Sequence, residues 1–194
     1  IQLNQVGQAE GYFSEAITLS RRIKSERIEL EALYGSGVVQ LRAGKPQNAI
    51  SYLQQALSLI GKNGPGRDGL GKRRILAGLG SAYYMAKQDE EASRAYIEAL
   101  QLTREARDRL SEAEILANLG QVNAARQKPY HALACYFQAE LTLKELRSPV
   151  VGMVQEQVER LRKQLGEEQF ASIADNVRAN LVSFLRDATG IKEW

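Results

Sequence analysis

Residues 75–100 read ILAGLGSAYYMAKQDEEASRAYIEAL, and this stretch decides the fold. Ile75, Leu76, Leu79 and Tyr83 recur at helical period, as do Ala92, Tyr96, Ala99 and Leu100, so the stretch holds two amphipathic helices. The polar turn Lys87-Gln88-Asp89 separates them and makes a helical hairpin. Small and large side chains alternate on the facing surfaces. A small residue lets two helices cross closely, a large one four positions on fills the neighbouring groove, and a second small one admits the next unit.

The same pattern occurs on either side. Ser36-Gly37 leads to Ala49, Leu53 and Ala56, and Leu119-Gly120 leads to Ala132, Tyr136 and Ala139. Glycine to first alanine is twelve residues each time, whereas the glycines at 37, 80 and 120 stand 43 and then 40 apart. Fixed spacing inside units with slack between them is what a stacked array produces. The turns Gly44-Lys45-Pro46 and Gln127-Lys128-Pro129 divide the flanking hairpins, each proline suiting the first turn of the helix that follows.

Upstream, Tyr12, Ala16 and Leu19 read as the second helix of a degenerate hairpin whose first helix is cut short at Ile1. A chain that starts there, and not at methionine, is expected to be excised from a longer protein, with any targeting segment outside it. Downstream, Val154, Val158, Leu161 and Leu165, then Phe170, Ile173, Val177, Leu181 and Leu185, predict one more hairpin as a cap over the last repeat. Residues 188–194 are expected to fray, with Trp194 either packing back or marking a continuation. The expectation is one all-α domain over 1–194, a right-handed superhelical solenoid of antiparallel hairpins. Its parts are a truncated unit at 1–26, repeats at 27–62, 70–107 and 110–147, and capping helices at 149–187.

Composition narrows the function. Hydrophobic residues make up 44% and charged residues 25%, enough to bury a core and no case for disorder. The net charge of +3 comes from 26 basic and 23 acidic residues interleaved along the chain, which reads as solvated surface and against nucleic acid. The single cysteine, Cys135, allows no internal disulfide and no multi-cysteine zinc site, and suits the cytoplasm or another reducing compartment. No apolar run approaches the roughly 20 residues that span a bilayer, so membrane insertion is not expected.

No catalytic, metal or cofactor site is expected. Residues 66–72 share the spacing of a phosphate-binding loop, but Arg73 stands where Ser or Thr would hold magnesium and a helix precedes where a strand should. Lys72, Arg73 and Arg74 at a helix start could still attract an acidic group. His131 and Cys135 lie four apart, yet no second ligand pair accompanies them, and a structural role is expected. Glu90-Glu91 and Glu167-Glu168 adjoin helix starts, where the dipole explains carboxylates without catalysis.

On Leu79, Gly80, Tyr83, Ala92, Tyr96 and Ala99 the chain resembles the tetratricopeptide repeat family. Repeats near 40 residues resemble its longer-period branch, seen in kinesin light chains and Leu-Gly-Asn repeat proteins. Asn123 in the third unit, and Ser36 and Gln40 in the first, depart from the signature. The resemblance implies a scaffold that holds a peptide or amphipathic helix of a partner protein in a concave groove, with self-association left open. It implies groove residues Glu31, Tyr34, Val38, Leu41 and Arg42 on one helix, Arg74, Ser81, Tyr84 and Met85 on the next, and Glu114, Asn118, Gln121 and Ala125 on the third. Asn118 is the strongest single candidate, because an amide both donates to and accepts from a peptide backbone. Gly35 and Gly78 occupy the equivalent places and are expected to open room for bulky apolar groups. A basic clamp for acidic C-termini is disfavoured, since only Arg74 and Asn118 fall near it. The rival reading is a peptide-gated sensor or regulatory domain of a larger signalling enzyme or transcriptional regulator.

Overall fold

A computed structural model describes residues 2–60 and 70–194, which form ten helices and no strand. In order these are α1 (Gln2–Arg22), α2 (Glu26–Arg42), α3 (Pro46–Ser58), α4 (Leu70–Met85), α5 (Asp89–Glu105), α6 (Arg109–Ala125), α7 (Pro129–Glu145), α8 (Val151–Leu165), α9 (Glu167–Ala179) and α10 (Leu181–Thr189). The chain divides into two compact units, Ile1–Ala99 and Leu100–Trp194. The fold is all-α and built of tetratricopeptide-like hairpins.

Local chemistry sets the helix ends. Pro46 and Pro129 open α3 and α7, where a missing N–H loses nothing. Asp89, Glu90 and Glu91 occupy the first turn of α5, and the Asp108 carboxylate caps α6 by accepting from Ser111 N at 3.1 Å. Residues 24, 44, 87, 107, 127 and 147 all adopt positive φ directly after a helix. Each forms the double closure seen where Gly44 N donates to the Leu41 carbonyl and Lys45 N to that of Gln40. Gly44 takes this conformation freely, whereas Lys24, Lys87, Arg107, Gln127 and Arg147 each bear a strain of about 1 kcal/mol or more.

In the first unit, Leu53 is fully buried between two glycines. A Cβ on Gly37 would lie 2.6 Å from Leu53 Cγ, and one on Gly78 would lie 3.3 Å from Leu53 Cδ1. The Tyr96 ring sits over Gly80 in the same way, at 2.6 Å, and its hydroxyl meets Ser81 Oγ at 2.9 Å. The repeat's glycines are thus sockets for knobs on the facing helix.

The first helix departs from its expected register. Tyr12 is 73% and Leu19 39% exposed, while Phe13 and Ile17 pack into the core. Phe13 stands eleven residues before the positive-φ Lys24, as Tyr96 does before Arg107 and Tyr136 before Arg147. The small-large-small pattern of α1 is therefore Ala9, Phe13 and Ala16. The Phe13 ring lies directly on Gly35, so that glycine admits the chain's own side chain, as Gly78 admits Leu53.

In the second unit, Tyr136 fills the Gly120 socket, and α8, α9 and α10 all pack on α7. The expected closing hairpin is instead three helices. Gly166, at φ +80°, ends α8, and the apolar series read as one helix through Leu185 breaks at Asn180, whose side-chain amide turns back to the Asn176 carbonyl. The turn lets α10 bury Leu185 and stack Phe184 on Tyr130, ring centres 5.4 Å apart. The tail is not frayed. Trp194 Nε1 donates to Thr189 Oγ1 at 3.2 Å, and the Arg104 guanidinium lies 4.2 Å above the indole.

Candidate functional site

In the first unit a recess of about 750 Å³ runs along α2. Helical spacing turns Glu31, Tyr34, Val38 and Arg42 to one side of α2, and Arg74 reaches in from α4. The Arg74 guanidinium rests 4.3 Å from the Tyr34 ring centre and 3.8 Å from a Glu31 carboxylate oxygen. It is held by a cation–π contact and a loose ion pair, both near the surface and both easily exchanged for a ligand's carboxylate. Phe13, Ile28, Ala32 and Val39 add apolar lining. Five expected groove residues, Glu31, Tyr34, Val38, Arg42 and Arg74, therefore meet.

The other four of this unit do not join them. Leu41 packs against the core, and Ser81 is occupied, donating to the Ala77 carbonyl at 3.1 Å and meeting Tyr96. Tyr84 lies beneath the Lys87 ammonium, and Met85 is 45% exposed outside the recess. In the second unit Glu114, Asn118 and Gln121 line a separate recess of about 320 Å³ whose far wall is Val150 and, from α8, Met153, Val154 and Gln157. Ala125 is exposed but not part of it. Burial, and then the charge of Asp108, raise the Glu114 carboxyl above its ordinary range.

Other reactive groups are packed away. Cys135 is fully buried, and desolvation pushes its thiol up to about 12 against a hydrogen bond from Asn123. His131 meets the Phe184 ring edge-on, and burial first, then Lys128, lowers its pKa. Among the described residues no three His, Cys, Asp or Glu side chains converge as metal ligands. Nor is any described helix long and apolar enough to cross a membrane. Residues 61–69, with most of the phosphate-loop spacing at 66–72, lie outside the described residues. Within it Lys72 ion-pairs with Glu98 at 2.7 Å, and just beyond it Arg74 is engaged by Glu31 and Tyr34.

Sequence reasoning missed Ala9, Phe13 and Ala16 in the first recess and Met153 in the second. Counting back from Lys24 finds the first three. Met153 carries no such mark, because α8 departs from the signature.

Comparison with curated proteins returns no match. A family model described as tetratricopeptide repeat matches residues 29–105, which hold α2 through α5 and the Gly37 and Gly80 sockets. Repeats of this family generally mediate protein–protein interaction and scaffolding. Hairpin geometry and family match agree that residues 29–105 are tetratricopeptide repeats.

Proposed function

We propose that the chain is a non-catalytic scaffold that holds a peptide or amphipathic helix of a partner protein, chiefly in the recess along α2. One observation carries the reading: five contact residues that the family resemblance implies, Glu31, Tyr34, Val38, Arg42 and Arg74, line one largely apolar recess. The apolar lining supplies affinity, and the two guanidiniums select orientation and carboxylate-bearing segments. The buried, unreactive Cys135 suits work in a reducing compartment such as the cytoplasm.

The test is site-directed photo-crosslinking from Val38, with the captured peptide identified by mass spectrometry and its affinity then measured by titration. Arg74→Glu and Tyr34→Ala should each weaken that peptide about tenfold, as loss of a contact worth roughly 1–2 kcal/mol requires. Asn118→Ala, in the other unit, should leave it unchanged. Unaltered affinity in both recess variants would sink the assignment.

A further inference from the structure

The polar side chains of this protein mostly satisfy one another, and the exceptions lie together. Of the buried and half-buried carboxamides among the described residues, Gln40 donates to Glu10, Asn123 to the Leu119 carbonyl and Gln138 to Thr142. Asn118, Gln121 and Gln157 make no hydrogen bond within the described chain, and all three line the recess of about 320 Å³ between α6 and α8. Half-buried polar groups usually find partners inside the fold, so a cluster that does not is a mark of a binding site. Charge repeats the pattern. On these helices and α7, Glu112 pairs with Arg104, Glu140 with Lys144, Glu145 with Arg109, Glu156 with Arg160 and Glu159 with Arg162. Glu114 is the one carboxylate of the three helices with no basic partner among the described residues, and it lines the same recess one turn before Asn118.

We propose that this second recess holds an extended segment of a partner protein by an arginine side chain, its guanidinium on Glu114 and its stem along Met153. The site rests on the same scaffold reading but shares no residue with the recess along α2. A guanidinium supplies the cation that Glu114 lacks and offsets the repulsion from Asp108, while its other N–H groups suit the amide oxygens of Asn118, Gln121 and Gln157. Lysine brings the same charge without the planar fork, so it should bind less well. Met153, 65% exposed, and Val150 offer an apolar wall to the aliphatic stem. The volume is at the small end for ligand pockets, which suits one long side chain and its adjoining main chain and not a further helix. The whole chain, at +3, would by itself draw acidic segments, so a preference for arginine has to come from this local arrangement.

The probe is a position-scanning library of capped heptapeptides screened against the full chain, with the selected peptide then labelled and titrated by fluorescence anisotropy. Arginine is expected at one position, and replacing it there by glutamine should weaken binding about tenfold or more. Glu114→Gln in the protein should weaken the arginine peptide by a similar factor and erase the preference, and Glu114→Lys should turn it toward acidic residues. Glu114 is exposed and has no partner to lose, so the thermal melt of both variants should stay intact. Tyr34→Ala, in the other unit, should leave this peptide's affinity unchanged. A library without a basic preference, the same preference in Glu114→Gln, or a selected peptide indifferent to that substitution would each overturn the proposal. So would sedimentation showing self-association that Glu114→Lys abolishes, which would make a second copy the occupant. If the Arg74 and Tyr34 effects on the crosslinked partner stand while no preference depends on Glu114, the arginine site alone is lost; if the reverse holds, the recess along α2 alone is lost.

Discussion

Substituting Gly120 by alanine sets two helical effects against each other, and the structure decides which wins. In a solvent-facing helix the change stabilises by about 1 kcal/mol, because alanine loses less backbone entropy on folding. At Gly120 the new methyl would stand 2.5 Å from Tyr136 Cε1, 2.7 Å from Cδ1 and 3.1 Å from Cζ. Tyr136 is 1% exposed, so overpacking should cost near the upper end of its usual range, about 2–3 kcal/mol. The net is a loss of about 1–2 kcal/mol, or a melting temperature lowered by roughly 3–6 °C in a chain of this size. Gly11→Ala is the control: a Cβ there meets nothing within 4 Å, and the melt should rise by about 2–4 °C. Thermal melts by far-ultraviolet circular dichroism read both. A double-mutant cycle with Tyr136→Ala should then show Gly120→Ala becoming harmless, with a coupling of about 1 kcal/mol or more. If Gly120→Ala melts as high as Gly11→Ala, or the cycle is additive, the socket account is wrong.

Gln127→Gly and Lys87→Gly relieve left-handed strain and should raise stability by several tenths to about 1 kcal/mol each in urea titration; lowered midpoints would contradict the strain reading. Cys135 should resist a thiol reagent in native protein at pH 8 and react fully once urea unfolds the chain, since burial holds its thiol near 12; fast native labelling would refute this. His131 has its folded pKa lowered by burial and by Lys128 and Arg126, against the opposing charge of Asp187. The unfolded chain therefore binds the proton first, and stability should fall as pH drops below the ordinary value of 6.5, with the loss largely gone in His131→Gln. Urea midpoints at pH 7.5 and 5.5 measure it, and identical slopes in the two proteins would remove His131 as the cause.

The hairpins were legible because their constraint is short-range: twelve residues from Gly37, Gly80 or Gly120 to an alanine fix how a helix pair crosses. What lay beyond that window was read less well. Tyr12 and Leu19 looked like core because they share a helical period with Ala16, but a period fits several faces, and only the partner helix tells which one is covered. Asn180 is an ordinary helix residue by propensity, and the break there comes from α10 finding room against α7, a tertiary effect. The same holds for the sites. Tyr34, Val38, Arg42 and Arg74 were implied by the family resemblance and share one recess, whereas the Ser81 hydroxyl meets Tyr96, a neighbour fifteen residues away that no pattern of apolar residues reveals.

Leu53 touches glycines of two successive first helices, and this has a consequence for how the first unit comes apart. A side chain shared in that manner belongs to neither hairpin alone, so pulling away either α2 or α4 leaves it half bare and weakens the remaining pair. Adjacent hairpins are thereby obliged to open in concert. A sheath of helices that might have peeled from one end instead behaves, over this span, as a single latch.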